Sequence, residues 1–300
     1  MPQFKKIIVA TDFSEPSIEA LREADRLAQG MDSEVFVFHA VPNLVRANPL
    51  FPHKNIEDVF QLPAMMDRAA DAVDELIAKH MRSDHTNVHV LVDTGWPDTA
   101  LMRKAEEIGA DLIVVGSRGF TGLKHVLLGS VAERVIRYSH CAVMVARASP
   151  SGGRILAATD FSDPALPAID AAVQIAKRRG AELTVMHSLG VRSSSLSWAA
   201  SPFGGGPIVP DEQAIRDARI AATQLIETSL GEFGAVGSAF VGDGMPEDDI
   251  LRKATVLPAD MIVLGSQGRT AINRVALGSV AETVARTATC SVLVIRLATA

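Results

Sequence analysis

Cysteine is nearly absent from this 300-residue chain: Cys141 and Cys290 are the only two, too few for a disulfide framework. No apolar run reaches the roughly 18 residues of a membrane-spanning helix. The opening Met-Pro-Gln-Phe-Lys-Lys leads straight into the strand-like Ile7-Ile8-Val9-Ala10, without the apolar stretch of a signal peptide. Positive charge is not in excess either. The formal net charge is -6, which argues against a general nucleic-acid binder with its basic stripe. The sequence holds no Gly-x4-Gly-Lys-Ser/Thr phosphate loop, no kinase set with a catalytic Asp and Asn, and no His/Cys cluster with zinc spacing. These absences predict a cytoplasmic protein with neither a membrane nor a nucleic acid as partner.

What is present is a long internal repeat. Thr11-Asp12-Phe13-Ser14 recurs unchanged as Thr159-Asp160-Phe161-Ser162, an offset of 148 from Asp12 to Asp160. Gly95-Trp96-Pro97 matches Gly244-Met245-Pro246, and the run from Ala110 to Ser117 matches that from Ala259 to Ser266, both at an offset of 149. Gly129-Ser130-Val131-Ala132-Glu133 returns as Gly278-Ser279-Val280-Ala281-Glu282, and Cys141 as Cys290. A register that hardly drifts over such a length marks a tandem pair of domains and not a solenoid of short units. The expected boundaries are 1–147 for the first domain, 148–153 for a linker and 154–300 for the second. Hydrophobic residues make up 48% of the chain, enough for two cores of ordinary size.

Each half alternates short apolar runs with amphipathic stretches. In the first half the expected strands are Lys6–Thr11, Glu34–His39, Val88–Val92, Leu112–Gly116 and Ala142–Val145, nearly continuous in apolar residues, as strands buried on both faces are. Ser14 and Pro16 predict the start of a helix carrying Ile18, Leu21, Ala24, Leu27 and Ala28. Further helices are expected around Met66–Ile77, over Asp98–Ile108 and from Ser130. Strands separated by helices predict an α/β fold with a parallel, doubly wound sheet in each half. The stretches Val41–Leu62 and Gly190–Pro210, rich in Pro, Gly, Ser or Asn, are expected to be surface loops or lids.

The chemistry is expected where glycines follow a strand. Gly116, Gly119, Gly129 and Ser130 form Gly-x2-Gly-x9-Gly-Ser, repeated by Gly265, Gly268, Gly278 and Ser279. Glycine lets the backbone approach an anion, and the helix beginning at Ser130 or Ser279 offers unpaired N–H groups to it. Arg118, Lys124, Arg269 and Arg274 lie within these loops. Alternatively, the glycines serve only turns and close packing of helix on sheet. Asp12 and Asp160 end the first strand of each half, at the edge where parallel sheets bind ligands. There a carboxylate can accept from a ribose hydroxyl or an adenine amine, hold a divalent cation through water, or cap the next helix. His39 and His187 read as structural histidines, Cys141 and Cys290 as small buried hydrophobes, and Ser151-Gly152-Gly153 as linker.

Both halves resemble the universal stress protein family across nearly their full length, in its ATP-binding branch. The first-strand aspartates, the two glycine patterns and the Ala-Asp-(Leu/Met)-Ile-Val-(Val/Leu)-Gly-Ser run before each pattern carry the likeness. The resemblance implies a five-stranded parallel sheet per domain, ordered 3-2-1-4-5, with ATP, and Mg2+ in its company, at the carboxyl ends. It assigns the nucleotide to Ala10, Thr11, Asp12, Val41, Gly116, Gly119, Gly129, Ser130 and Val131. In the second half it assigns Ala158, Thr159, Asp160, Leu189, Gly265, Gly268, Gly278, Ser279 and Val280. It also implies a regulatory protein of the stress response, with a homodimer and a regulatory protein as partners. Two other functions stand beside this one: a slow ATPase or nucleotidyl-type enzyme, and a scaffold that has lost nucleotide binding in one or both halves. The chain departs from the family where Ala142 and Ser291 replace a frequent Pro, and Gln267 stands where the first half has Arg118.

Overall fold

A computed structural model describes residues 4–41, 62–82, 87–119, 128–148, 153–191, 211–268 and 277–296. The expected loops 42–61 and 192–210, most of the linker, and Lys124, Arg269 and Arg274 lie outside them. The chain divides into two compact units, whose continuous spans are Gln3–Ala148 and Ser149–Leu297.

In the first unit the order is β1 (Lys6–Ala10), α1 (Glu15–Ala28), β2 (Glu34–Val41), α2 (Leu62–His80), β3 (Val88–Thr94), α3 (Pro97–Ile108), β4 (Leu112–Gly116), α4 (Ser130–Tyr138) and β5 (Ala142–Ala146). The strands lie in the order β3-β2-β1-β4-β5, all parallel. Ile8 on the central β1 is in register with Phe36 on one side and Ile113 on the other. Ile7, Ile8 and Val9 are fully buried, so β1 has no solvent face, and its unbroken Ile-Ile-Val run follows from that.

The second unit repeats the order: β6 (Arg154–Ala158), α5 (Leu166–Arg179), β7 (Glu182–Ser188), α6 (Glu212–Glu232), β8 (Ser238–Gly242), α7 (Pro246–Val256), β9 (Met261–Gly265), α8 (Ser279–Thr287) and β10 (Ser291–Ile295). Its strands lie in the order β8-β7-β6-β9-β10. The doubly wound α/β fold holds in both halves.

The repeated Ala-Asp dipeptides act at the amino ends of the strands. Asp111 accepts hydrogen bonds from the Lys5 and Lys6 N–H groups, and Asp260 from those of Gly153 and Arg154. One carboxylate thus pins the start of the central strand in each half. Its separation from the partner N–H groups exceeds 100 residues, so sequence alone shows no reason for it.

Four strand ends differ from expectation, one of them that of β5, which reaches Ala146 instead of Val145. β1 stops at Ala10 and leaves Thr11 in the turn, whereas β2 runs two residues further, to Val41, and β3 reaches Thr94. The last pairs, Ala40 with Asp93 and Val41 with Thr94, extend the β2–β3 ladder past the apolar run that signalled it. Ser14 does stand at the N-cap of α1 but makes no side-chain cap; its hydroxyl donates to Asp12 instead. Cys290 is buried, while Cys141 is only half-buried.

Candidate functional site

At the carboxyl end of β1, Thr11-Asp12-Phe13-Ser14 folds into a tight turn fastened from several sides. The Thr11 N–H donates to Phe38 O at 2.8 Å, and the Phe13 N–H to Thr11 Oγ1 at 3.1 Å. Asp12 Oδ1 accepts from both the N–H and the hydroxyl of Ser14. Within this turn Phe13 has φ of 65°, and Phe161 in the second half has φ of 61°. The left-handed region is strained for a bulky residue, on the order of 1–3 kcal/mol, and persists where the surroundings over-determine it. The Phe13 ring centroid lies 4.8 Å from that of His39, and Phe161 lies 4.5 Å from His187. Glycine would be unstrained there but would lose this ring contact. Sequence reasoning missed it, since the tetrad contains no glycine to announce the conformation.

The other Asp12 oxygen faces the glycine turn. A Cβ built on Gly119 would lie 2.6 Å from Asp12 Oδ2, and one on Gly268 would lie 2.5 Å from Asp160 Oδ2. The absent side chain is the space that admits the carboxylate. So the aspartate and the second glycine, separate signals in the sequence, meet at one point in each half.

The turn is closed at its base by the Gly129 N–H, which donates to Ser117 O at 2.8 Å; Gly278 does the same to Ser266 O at 2.8 Å. Gly129 is the extended N-cap of α4 and makes no side-chain cap. The first N–H groups of a helix lack intrahelical acceptors, and here they belong to Ser130, Val131 and Ala132, which line a cavity of about 420 Å³.

That cavity gathers Ala10, Thr11, Asp12, Gly116, Gly119, Gly129, Ser130 and Val131 of the sequence-predicted set. Val41 is not among its walls. It is buried as the last residue of β2, and Ala40 lines the cavity in its place. Phe38, His39, Pro97 and Ser17 line it too. Ser17 Oγ donates to Ser14 O at 2.8 Å and lies 3.1 Å from Thr11 Oγ1. Of these four, Pro97 and His39 are marked by the repeat, recurring as Pro246 and His187. Gly116 lines the cavity but is needed for packing. A Cβ there would lie 2.7 Å from the Pro16 carbonyl carbon and oxygen, so this glycine lets α1 sit against β4.

In the second half Ala158 ends β6, with Thr159 and Asp160 following it; Gly265 ends β9, Gly278 caps α8, and Ser279 and Val280 open that helix. Leu189 follows β7, its N–H donating to Gly242 O. The second site is not a copy throughout. Ala165 stands for Ser17, Ser188 for Ala40 and Gln267 for Arg118. Ser188 Oγ donates to Asp249 Oδ2 at 2.7 Å, and Asp249 also accepts from the Gly244 N–H and from Arg252. In the first half the comparable carboxylate is on the strand: Asp93 holds Arg103, the counterpart of Arg252, at 2.7 Å. The acid has moved from strand to helix, and Gly242 stands at the vacated strand position.

Asp249 is only 2% exposed. Burial acts to raise its pKa, but the hydrogen bonds from Ser188, Arg252 and the Gly244 N–H outweigh burial and hold it below the ordinary carboxylate range. A carboxylate with a depressed folded-state pKa adds stability that is complete above its unfolded pKa of about 3.9 and disappears as pH falls below it. The second unit should therefore lose stability on acidification below about pH 4 more steeply in the wild type than in Asp249→Asn. At neutral pH the substitution should cost about 1–2 kcal/mol. Urea midpoints measured from pH 7 to 3 check both statements; parallel curves for the two proteins would refute them.

A larger cleft of about 870 Å³ lies beside β8, α6 and α7 and contains none of the predicted residues. Among the described residues both arginines in its walls are paired, Arg219 with Asp243 at 2.7 Å and Arg252 with Asp249, so these offer no uncommitted charge of the kind an anion needs. Among the described residues, no helix is long and apolar enough to cross a membrane, and no group of three or more His, Cys, Asp or Glu could hold a metal ion.

Comparison with known proteins agrees with the fold. The sequence model of the universal stress protein family matches residues 3–147 and again 153–296. Universal stress protein MJ0531 of Methanocaldococcus jannaschii is 34% identical over 146 residues, 48% of this chain and 82% of that protein. MJ0577 of the same organism is 30% identical over 154 residues, 48% of this chain and 95% of its own. A crystal structure of a universal stress protein from Archaeoglobus fulgidus covers 98% of this chain and 99% of its own, with a TM-score of 0.67 at 23% identity, a likeness of fold. Two matches of one family model, end to end along a chain whose halves repeat one fold, leave a single assignment: the chain belongs to the universal stress protein family and carries two of its domains in tandem.

Proposed function

We propose that the first-half cavity binds an adenine nucleotide, ATP foremost, and that the second half holds a repeat-equivalent site. The observation that carries this reading is the meeting of Asp12 with the notch at Gly119, beside the N-terminus of α4, in a cavity of about 420 Å³. The helix N-terminus and the glycine turn suit the phosphates, and Asp12 suits a hydroxyl or amine donor. Ala10, Thr11, Gly129, Ser130 and Val131 would contact the nucleotide in the first half. Ala158, Thr159, Asp160, Gly268, Gly278, Ser279 and Val280 would do so in the second. Among the described residues Asp12 is the one carboxylate lining the cavity, so Mg2+ would be carried mainly by the phosphates and water.

The nucleotide acts as a signal in this reading, its state biasing conformation or the choice of a protein partner. The site favours retention over turnover. Asp12 is already engaged by the Ser14 N–H and hydroxyl, which suits it to hold a ligand better than to abstract a proton from water. Purified protein should release adenine nucleotide on denaturation and show little hydrolysis with Mg2+. Asp12→Ala combined with Asp160→Ala should weaken ATP binding at least tenfold, about 1.4 kcal/mol. Clear turnover abolished by that double substitution would establish the enzyme instead, and absence of any nucleotide binding would leave the scaffold.

A further inference from the structure

Ser17 lies in the first turn of α1 and in the wall of the first-half cavity, only 3% exposed. Its Oγ is 2.8 Å from Ser14 O, 3.1 Å from Thr11 Oγ1 and 3.4 Å from the Asp12 nitrogen. A carbonyl oxygen only accepts, so the single Ser17 hydroxyl proton goes to Ser14 O. Thr11 then donates to Ser17, while Thr11 Oγ1 itself accepts from the Phe13 N–H at 3.1 Å. The bonds run in one direction, from the Phe13 N–H through Thr11 and Ser17 to Ser14 O. They close residues 11–14 into a ring fastened to the helix. Asp12 sits inside that ring, its N–H directed at Ser17 Oγ and its Oδ1 held by Ser14.

The second half lacks the fastening. Ala165 stands for Ser17, so no hydroxyl joins Thr159 to Ser162 O. The other bonds remain: the Phe161 N–H donates to Thr159 Oγ1 at 3.0 Å, and Ser162 still holds Asp160 Oδ1. The entry to the helix differs as well. Ser14 O gathers the N–H groups of Ser17 and Ile18 together with the Ser17 hydroxyl. Ser162 O receives the Ala165 N–H, but the Leu166 N–H turns to Asp163 O and leaves a 3₁₀ turn at 163–165. The same fold forms without the serine, so the hydroxyl is not a requirement of packing helix on sheet. A binding group ordered before its ligand arrives spares the cost of ordering it on binding. We infer that Ser17 is a positioning residue that holds Asp12 ready for a donor on the nucleotide, and that Ala165 leaves the second half the weaker ATP site. This rests on the assignment of both halves to a nucleotide.

The test is isothermal titration calorimetry of the full chain with ATP and with tripolyphosphate. Asp160→Ala singles out the first half, and Asp12→Ala the second; the Asp160→Ala protein should keep the tighter ATP binding. In that background Ser17→Ala should weaken ATP about fivefold, the worth of one hydrogen bond. Tripolyphosphate affinity should stay unchanged, because this ligand brings Asp12 neither a sugar hydroxyl nor an amine. In the Asp12→Ala background Ala165→Ser should tighten ATP by a similar factor, a gain that a merely structural serine would not give. Ser17→Ala with unchanged ATP affinity, or with ATP and tripolyphosphate weakened alike, would overturn the positioning role, and so would Ala165→Ser without a gain. In each of these cases the nucleotide site itself stands. If the wild type binds no ATP, the nucleotide assignment fails instead.

Discussion

Gly119→Val combined with Gly268→Val is expected to weaken ATP binding by about 100-fold or more, equivalent to about 2.7 kcal/mol, while circular dichroism and melting remain near wild type. A Cβ at either position would stand 2.5–2.6 Å from the aspartate Oδ2, well inside contact distance. The carboxylate cannot simply swing away, because its other oxygen is held by the N–H and hydroxyl of Ser14, or of Ser162 in the second half. The new side chain either displaces Asp12 from the cavity or projects into the space beside the α4 N-terminus, and each outcome removes ligand contacts. The fold has no comparable reason to suffer. Neither glycine has a positive φ, and among the described residues the atoms within 4 Å of the added Cβ all belong to that aspartate side chain. Single substitutions would then report each half separately. Unchanged ATP affinity in the double variant, with the fold intact, would show that these glycines only shape the turn.

The periodic features of the fold are legible in the chain itself. Continuous apolar runs such as Ile7–Val9 mark strands buried on both faces, and repetition of the same units implies the tandem α/β arrangement. The site is legible as parts and not as contacts. Asp12 and Gly119 each stand out, but their approach depends on how β1 and β4 lie side by side, and no local pattern encodes that. The positive φ of Phe13 is hidden because a non-glycine residue held there by its neighbours leaves no compositional trace. The apolar run also fails to mark where β2 ends, since the strand continues through Ala40 to Val41. His39 reads as structural, and its bond to Thr11 is structural. The shift of a carboxylate from Asp93 on a strand to Asp249 on a helix is likewise invisible, since the two positions are not equivalent in the repeat.

Gly116→Ala should act on the fold first and on the ligand only as a consequence. This glycine ends β4, three residues before Gly119 and within the same motif, yet its surroundings are wholly different. The added methyl would lie 2.7 Å from the carbonyl carbon and oxygen of Pro16 and 2.9 Å from the Ser17 nitrogen. These are backbone atoms in the first turn of α1, where the Ser17 and Ile18 N–H groups and the Ser17 hydroxyl all donate to Ser14 O. That turn cannot yield locally, so relief requires α1, with its buried Ala20, Leu21 and Ala24, to lift from β4. Overpacking of this kind costs about 3 kcal/mol, and for a domain of this size that corresponds to a melting temperature lower by roughly 6–12 °C. Lifting α1 also moves Ser14, and with it the hold on Asp12, so ATP affinity should fall in step with stability. Thermal and urea unfolding of Gly116→Ala beside Gly119→Val separate the two roles. A stable Gly116→Ala protein that has lost its nucleotide would return this glycine to the ligand, whereas a destabilised one places it in the seam between helix and sheet.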